Sequence, residues 1–118
     1  MKITFSGKKS ILINYWRNGA LPSVKRGLYG DILTPQNVSQ EHILPASKGG
    51  RAGVYNIALA TNDNNCIRND LPLAKFLTRH QAEEYLKQFK NINLTDFNGN
   101  TYIEKVRETI LRCFQKGL

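Results

Sequence analysis

Residues 41 to 65 constrain this chain more than any other stretch. Glu41-His42-Ile43-Leu44-Pro45 is followed by Lys48-Gly49-Gly50, and then by Asn56 and Asn65, which lie 14 and 23 positions after His42. Pro45, Gly49, Gly50 and Gly53 interrupt any regular structure that carries the histidine. The segment therefore predicts an extended piece from Val38 to Ile43, a loop, and a second strand over Val54 to Ala60. Thr61 or Asn62 then caps a short helix running through Cys66 to Asn69, which ends at Leu71-Pro72 because the residue before a proline disfavours helical angles. The expected core unit is strand, loop, strand, short helix.

Around this unit the signals are those of ordinary helices. Lys2 to Phe5 alternates polar and apolar residues and predicts a short strand before Gly7. Ile11, Leu12, Tyr15 and Trp16 recur at helical spacing, with Ser10 as the N-cap and Gly19 just past the end. Pro22, Gly27 and Gly30 mark a connecting loop, and Ile32-Leu33 reads as extended. Further on, Thr78-Arg79-His80-Gln81 and Thr101-Tyr102-Ile103-Glu104 are capping-box patterns. Ala82, Tyr85, Leu86 and Phe89 form the apolar stripe of the first helix, and Ile103, Val106, Ile110, Leu111 and Phe114 that of the second. No internal repeat or low-complexity tract is present.

At 118 residues and 41% hydrophobic content the chain fits one domain over 1–118, with a basic N-terminal segment 1–28, a core 29–70 and a helical part 78–118. No apolar run approaches the ~20 residues that cross a bilayer, and the first ten residues lack the pattern of a signal peptide. The expectation is a soluble, intracellular, cytoplasmic protein without a membrane partner. Cys66 and Cys113 are the two cysteines, with no CxxC pair, which argues against a disulfide framework and a structural zinc. The formal charge of +8 is uneven: residues 1 to 30 carry +6, residues 31 to 78 are neutral, and the remainder carries +2. A basic flank bearing Phe5, Tyr15, Trp16 and Tyr29 beside a neutral segment fits a polyanion-binding surface, although solvated lysines and core aromatics account for the same composition.

The stretches QEHILPASKGG and YNIALATNDNNCIRND together resemble the HNH endonuclease motif, the ββα-metal unit, over about residues 29 to 70. The nearest pattern is the HNH domain of CRISPR effector nucleases. The resemblance implies an α+β fold: a ββα-metal (HNH) core with a short N-terminal helix and two C-terminal helices. It matches His42 to the catalytic histidine, Asn56 to the middle asparagine, Asn65 to the last, metal-binding position and Glu41 to the acidic ligand. Asn56 would brace the histidine segment by bonding backbone across the loop. Many members of the family hold the motif between two CxxC pairs that bind zinc; with Thr61 and Asn64 at the corresponding downstream positions, this is a zinc-free version.

Elementary chemistry assigns the same roles. Hydrolysis of a phosphodiester needs water to lose a proton near neutral pH, which suits the imidazole of His42, and a cation against the phosphate to offset developing charge. A carboxylate and an amide oxygen, Glu41 and Asn65, are hard ligands that favour Mg²⁺ or Mn²⁺ over Zn²⁺. Ser39, on the same strand face as Glu41, offers at most a hydroxyl as third ligand. Arg68, one turn after Asn65, is placed to contact phosphate, and Lys48, Arg51, Lys25 and Arg26 to bind nucleic-acid backbone. One tension remains, because adjacent strand residues point to opposite faces, so Glu41 and His42 meet one phosphate only if the strand bends. His80, Asp63 and Asp70 read as surface charges at helix ends. The expected function is a metal-dependent HNH endonuclease acting on DNA, nicking one strand per site, with a homodimer or protein partner needed for a double-strand cut. The alternatives are a non-catalytic nucleic-acid-binding module on the same scaffold and an RNA-directed nuclease.

Overall fold

The computed structural model describes residues 2–4, 11–51 and 53–118. In chain order its elements are β1 (Lys2–Thr4), α1 (Ile11–Arg17), β2 (Val38–His42), β3 (Ile57–Thr61), α2 (Asn62–Arg68), α3 (Arg79–Lys87), β4 (Asn93–Thr95) and α4 (Tyr102–Lys116). The fold is mixed α/β, with four α-helices and two small sheets among the described residues. β2 and β3 pair antiparallel in the register Val38–Thr61 to His42–Ile57, while β1 and β4 pair parallel. The ends expected for the first strand and helix, Phe5 and Ser10, lie outside the described residues. Among the described residues no helix is long and apolar enough to cross a membrane.

The local reasons are visible in the caps. Thr78 Oγ1 accepts the N–H of Gln81 at 3.1 Å and Gln81 Oε1 in turn accepts the N–H of Thr78 at 2.9 Å, the reciprocal pair that opens α3. Thr101 accepts the N–H of Glu104 to start α4, and Thr61 that of Asn64 to start α2. α4 buries Tyr102, Val106, Ile110 and Cys113, one stripe at helical spacing, and closes on Gly117 at φ 66°.

A two-stranded hairpin is marginal in water, so the outer edge of β3 needs partners. Leu28 donates its N–H to Leu59 O at 2.8 Å, Leu59 N–H reaches the Tyr85 hydroxyl at 3.0 Å, and the Tyr102 hydroxyl donates to Ile57 O at 2.6 Å. Tyr85 and Tyr102 are joined to each other at 3.0 Å. Two tyrosines from α3 and α4 thus complete the backbone bonding of a strand whose five residues are all buried.

Two expectations are corrected. The second strand begins at Ile57, not Val54: Val54–Asn56 forms a single 3-10 turn, in which Asn56 N–H bonds Gly53 O at 2.9 Å. That turn swings the Asn56 side chain into the loop, where a strand would place it across the sheet. Of Ile32-Leu33, Ile32 forms only an isolated bridge to Arg26.

Candidate functional site

β2 and α2 border an open cleft of ≈ 500 Å³ into which Gln40, His42, Ser47, Asn65, Asn69 and Asp70 contribute. Gln40 and His42 stand two apart on one strand and so share a face. The antiparallel pairing of β2 with β3, and the direct run of β3 into α2, bring Asn65 against that strand: its Nδ2 donates to Ser39 Oγ and to Gln40 O, both at 3.2 Å. Among the described residues the amide oxygen of Asn65 accepts no hydrogen bond.

The segment after His42 is fastened by Asn56. Its Oδ1 accepts Leu44 N–H at 2.8 Å, and its Nδ2 donates to Leu44 O at 2.9 Å and Arg51 O at 3.0 Å, while Ile43 N–H bonds the Asn56 carbonyl at 2.8 Å. Every atom the amide can use is bonded to backbone across the loop. Gly50 completes the closure, since a Cβ there would stand 1.7 Å from Leu44 O. At the far wall Asn69, the one described non-glycine residue with positive φ (50°), ends α2. With ψ −114° it lies outside the left-handed helical region that asparagine tolerates, so the conformation costs on the order of 1–3 kcal/mol and persists only where its surroundings hold it.

Glu41 is not part of the cleft, which corrects its expected role as the ligand paired with Asn65. Strand alternation turns it inward, where it is 1% exposed, accepts the Tyr29 hydroxyl, and lies 3.7 Å from Arg68 Nη1. Arg68, expected to contact phosphate, is fully buried. Its Nη1 donates to His42 O at 2.9 Å and its Nε to Leu71 O at 3.1 Å. The helix position that looked like a neighbouring surface face is the one α2 packs inward on β2, and the guanidinium there serves the carbonyl that ends β2 and one in the turn after α2. Glu41 Oε1 and Arg68 Nη2 are buried and have no hydrogen-bond partner among the described residues.

Burial pushes the Glu41 carboxyl up to about 7 from an ordinary 4.5, against the opposing pull of the Tyr29 hydrogen bond and the Arg68 charge. The Tyr29 hydroxyl is raised as well, by burial first and then by Glu41. The native state therefore holds a proton on Glu41 that the unfolded chain has released, over the window from about 4.5 to about 7. Stability falls as pH rises through that window, because the folded form binds more protons there. Glu41→Gln is expected to flatten this decline in urea titrations run across it; a variant with the wild-type slope would assign the pH dependence elsewhere.

Of the basic residues, Lys48 follows Ser47 at the cleft rim and Arg51 is exposed in the loop. Lys25 and Arg26 lie away from the cleft, their N–H groups both bonded to Gln88 Oε1 at 2.9 Å beyond the end of α3, with the Arg26 guanidinium on Gly30 O at 2.8 Å. Sequence reasoning passed over Gln40, whose Oε1 also accepts Ile13 N–H at 2.8 Å, and took Asp70 for a helix-end charge. The i, i+2 spacing from His42 is the signal that marks Gln40.

Among the described residues no three His, Cys, Asp or Glu side chains gather closely enough to hold a metal ion. The cleft instead offers hard oxygen donors, the Asp70 carboxylate and the side-chain amides of Asn65 and Asn69. Such a set fits a Mg²⁺ or Mn²⁺ ion that keeps most of its water and shares a substrate phosphate, and it does not fit a tetrahedral zinc. No family model, no curated protein and no solved structure matches the chain.

Proposed function

We propose that this protein is a metal-dependent endonuclease of the HNH type that hydrolyses phosphodiester bonds in DNA, nicking one strand per site. The observation that carries the reading is the meeting of His42 and Asn65 in one open cleft, on a strand pair that runs directly into a short helix. His42 takes the proton of the attacking water, and its ring is presented by a strand end held from below by Arg68 and from the loop side by Asn56. Asn65 and Asp70 would hold Mg²⁺ or Mn²⁺, which when bound offsets the charge that develops on the phosphate. Gln40, bonded to Ile13 N–H through Oε1, retains an NH₂ group with which to orient a phosphate oxygen.

With few ligands from the chain, cation affinity depends on substrate, so cleavage is expected to need millimolar Mg²⁺ or Mn²⁺. Incubation of supercoiled plasmid with either cation should yield open circles, and EDTA should abolish the conversion. Intact supercoils at high cation concentration, with DNA binding retained, would instead establish the second reading, a non-catalytic nucleic-acid-binding module. The withdrawal of Glu41 into the core favours that alternative, because it removes a carboxylate from the place where a nuclease uses one. The same assay on an RNA substrate separates a DNA-directed from an RNA-directed nuclease.

A further inference from the structure

α4 has two flanks beside its buried stripe, and they differ in charge. On the flank toward α3, Arg107 is held by Glu83 through bonds of 2.7 and 2.9 Å. The opposite flank carries Lys105, Thr109, Arg112 and Lys116, spaced i, i+4, i+7 and i+11, and so aligned along the helix. Thr109 identifies its neighbour, since its hydroxyl bonds Tyr55 O at 3.1 Å, in the turn that follows the cleft loop. Lys48 belongs to the same region: the buried Cys113 thiol is raised by desolvation and drawn back by Arg68, Arg112 and Lys48 together, so Lys48 stands within electrostatic reach of the Arg112 turn. At the end of the helix, Leu118 O accepts Leu73 N–H at 2.8 Å, just beyond the Asn69-Asp70 wall of the cleft.

Among the described residues Lys48, Arg51, Arg112 and Lys116 make no ion pair, and Arg51, Arg112 and Lys116 are exposed. Glu108 is the acid on this flank, and it lies 3.5 Å from Lys105. We propose that the Lys105–Arg112–Lys116 flank of α4, continued by Lys48 and Arg51, is a docking surface for the backbone of duplex DNA that leads substrate to the cleft. The partner rests on the nuclease reading; the surface rests on the charge alignment. A straight helical row of about 16 Å matches the regular negative charge of a duplex, one per ~1.7 Å of axis. The same row has no exposed aromatic side chain on which single-stranded bases would stack.

The test is fluorescence anisotropy of a short labelled duplex across a salt series, with wild type and an Arg112→Gln/Lys116→Gln double variant whose fold is checked by circular dichroism. Loss of two phosphate contacts should reduce the log–log salt slope by about 1.8. An unchanged slope overturns the surface, as does wild-type protein that shows no salt-dependent binding, or that prefers the single strand. Nicking by wild type with an unaltered slope in the double variant sinks the surface alone. Binding with the expected loss of slope but no nicking sinks the catalytic reading and leaves the surface standing.

Discussion

Above pH 7, where Glu41 is ionised beside Arg68, replacing Arg68 by alanine is expected to lower the unfolding free energy by about 3–5 kcal/mol, the cost of breaking a buried ion pair from one side. The substitution removes the bonds to His42 O and Leu71 O and leaves the Glu41 carboxylate in the core with the Tyr29 hydroxyl as its remaining partner. It also empties the volume of a fully buried side chain. Since a domain of this kind is stabilised by roughly 5–15 kcal/mol, the variant would be marginal at 37 °C. Arg68→Lys should recover little, because a compact ammonium does not reproduce the planar fork whose Nε and Nη1 reach two separate carbonyls. Glu41→Gln in the Arg68→Ala background provides the decisive comparison: it removes the stranded charge, so the double variant should be more stable than the sum of the single losses predicts. Urea midpoints for the four proteins measure this. Additive losses, or an Arg68→Ala change below about 1 kcal/mol, would mean that the pair contributes nothing beyond packing.

That buried arginine also marks where sequence reasoning stopped. The helix α3 was legible because its capping box and apolar stripe are local signals that agree with the packing, whereas α4 was legible in its cap and in Val106 and Ile110 while its fully buried stripe adds Tyr102 and Cys113 and leaves Ile103, Leu111 and Phe114 half-buried. The β2–β3 pair and α2 were legible from proline and glycine punctuation and from Thr61. Arg68 carried no such signal, since charged side chains are almost never fully buried. Its inward placement depends on Glu41 waiting on the strand beneath, a complementarity between residues 27 positions apart. Strand parity did contain the answer for Glu41: adjacent residues face opposite ways, so His42 in the cleft requires Glu41 in the core. Val54 and Tyr55 looked like a strand because apolar residues in a turn are indistinguishable by pattern from apolar residues in a short strand. The β1–β4 pair joins three-residue strands from opposite ends of the chain, and nothing in either segment announces the other.

His42→Ala should reduce metal-dependent nicking by about 10²–10⁴-fold, the range that a positioned general base contributes. The side chain lines the cleft while its backbone serves the scaffold, by standing in register with Ile57 in the sheet and by the carbonyl that accepts Arg68 Nη1. Both survive the substitution, so stability should change by less than about 1 kcal/mol. This separation of effects is what gives the variant its force. Arg68→Ala alters stability and activity together and says little about chemistry, whereas His42→Ala leaves the fold and the duplex-binding slope in place and removes one imidazole. The rate should be measured as single-turnover conversion of supercoiled plasmid under saturating cation, so that weak metal binding does not masquerade as lost chemistry. An unchanged rate would remove His42 as the base. A lost rate accompanied by a lowered urea midpoint would assign the histidine to the scaffold, and the cleft would then have to work through water oriented by Gln40 and Asn65 alone.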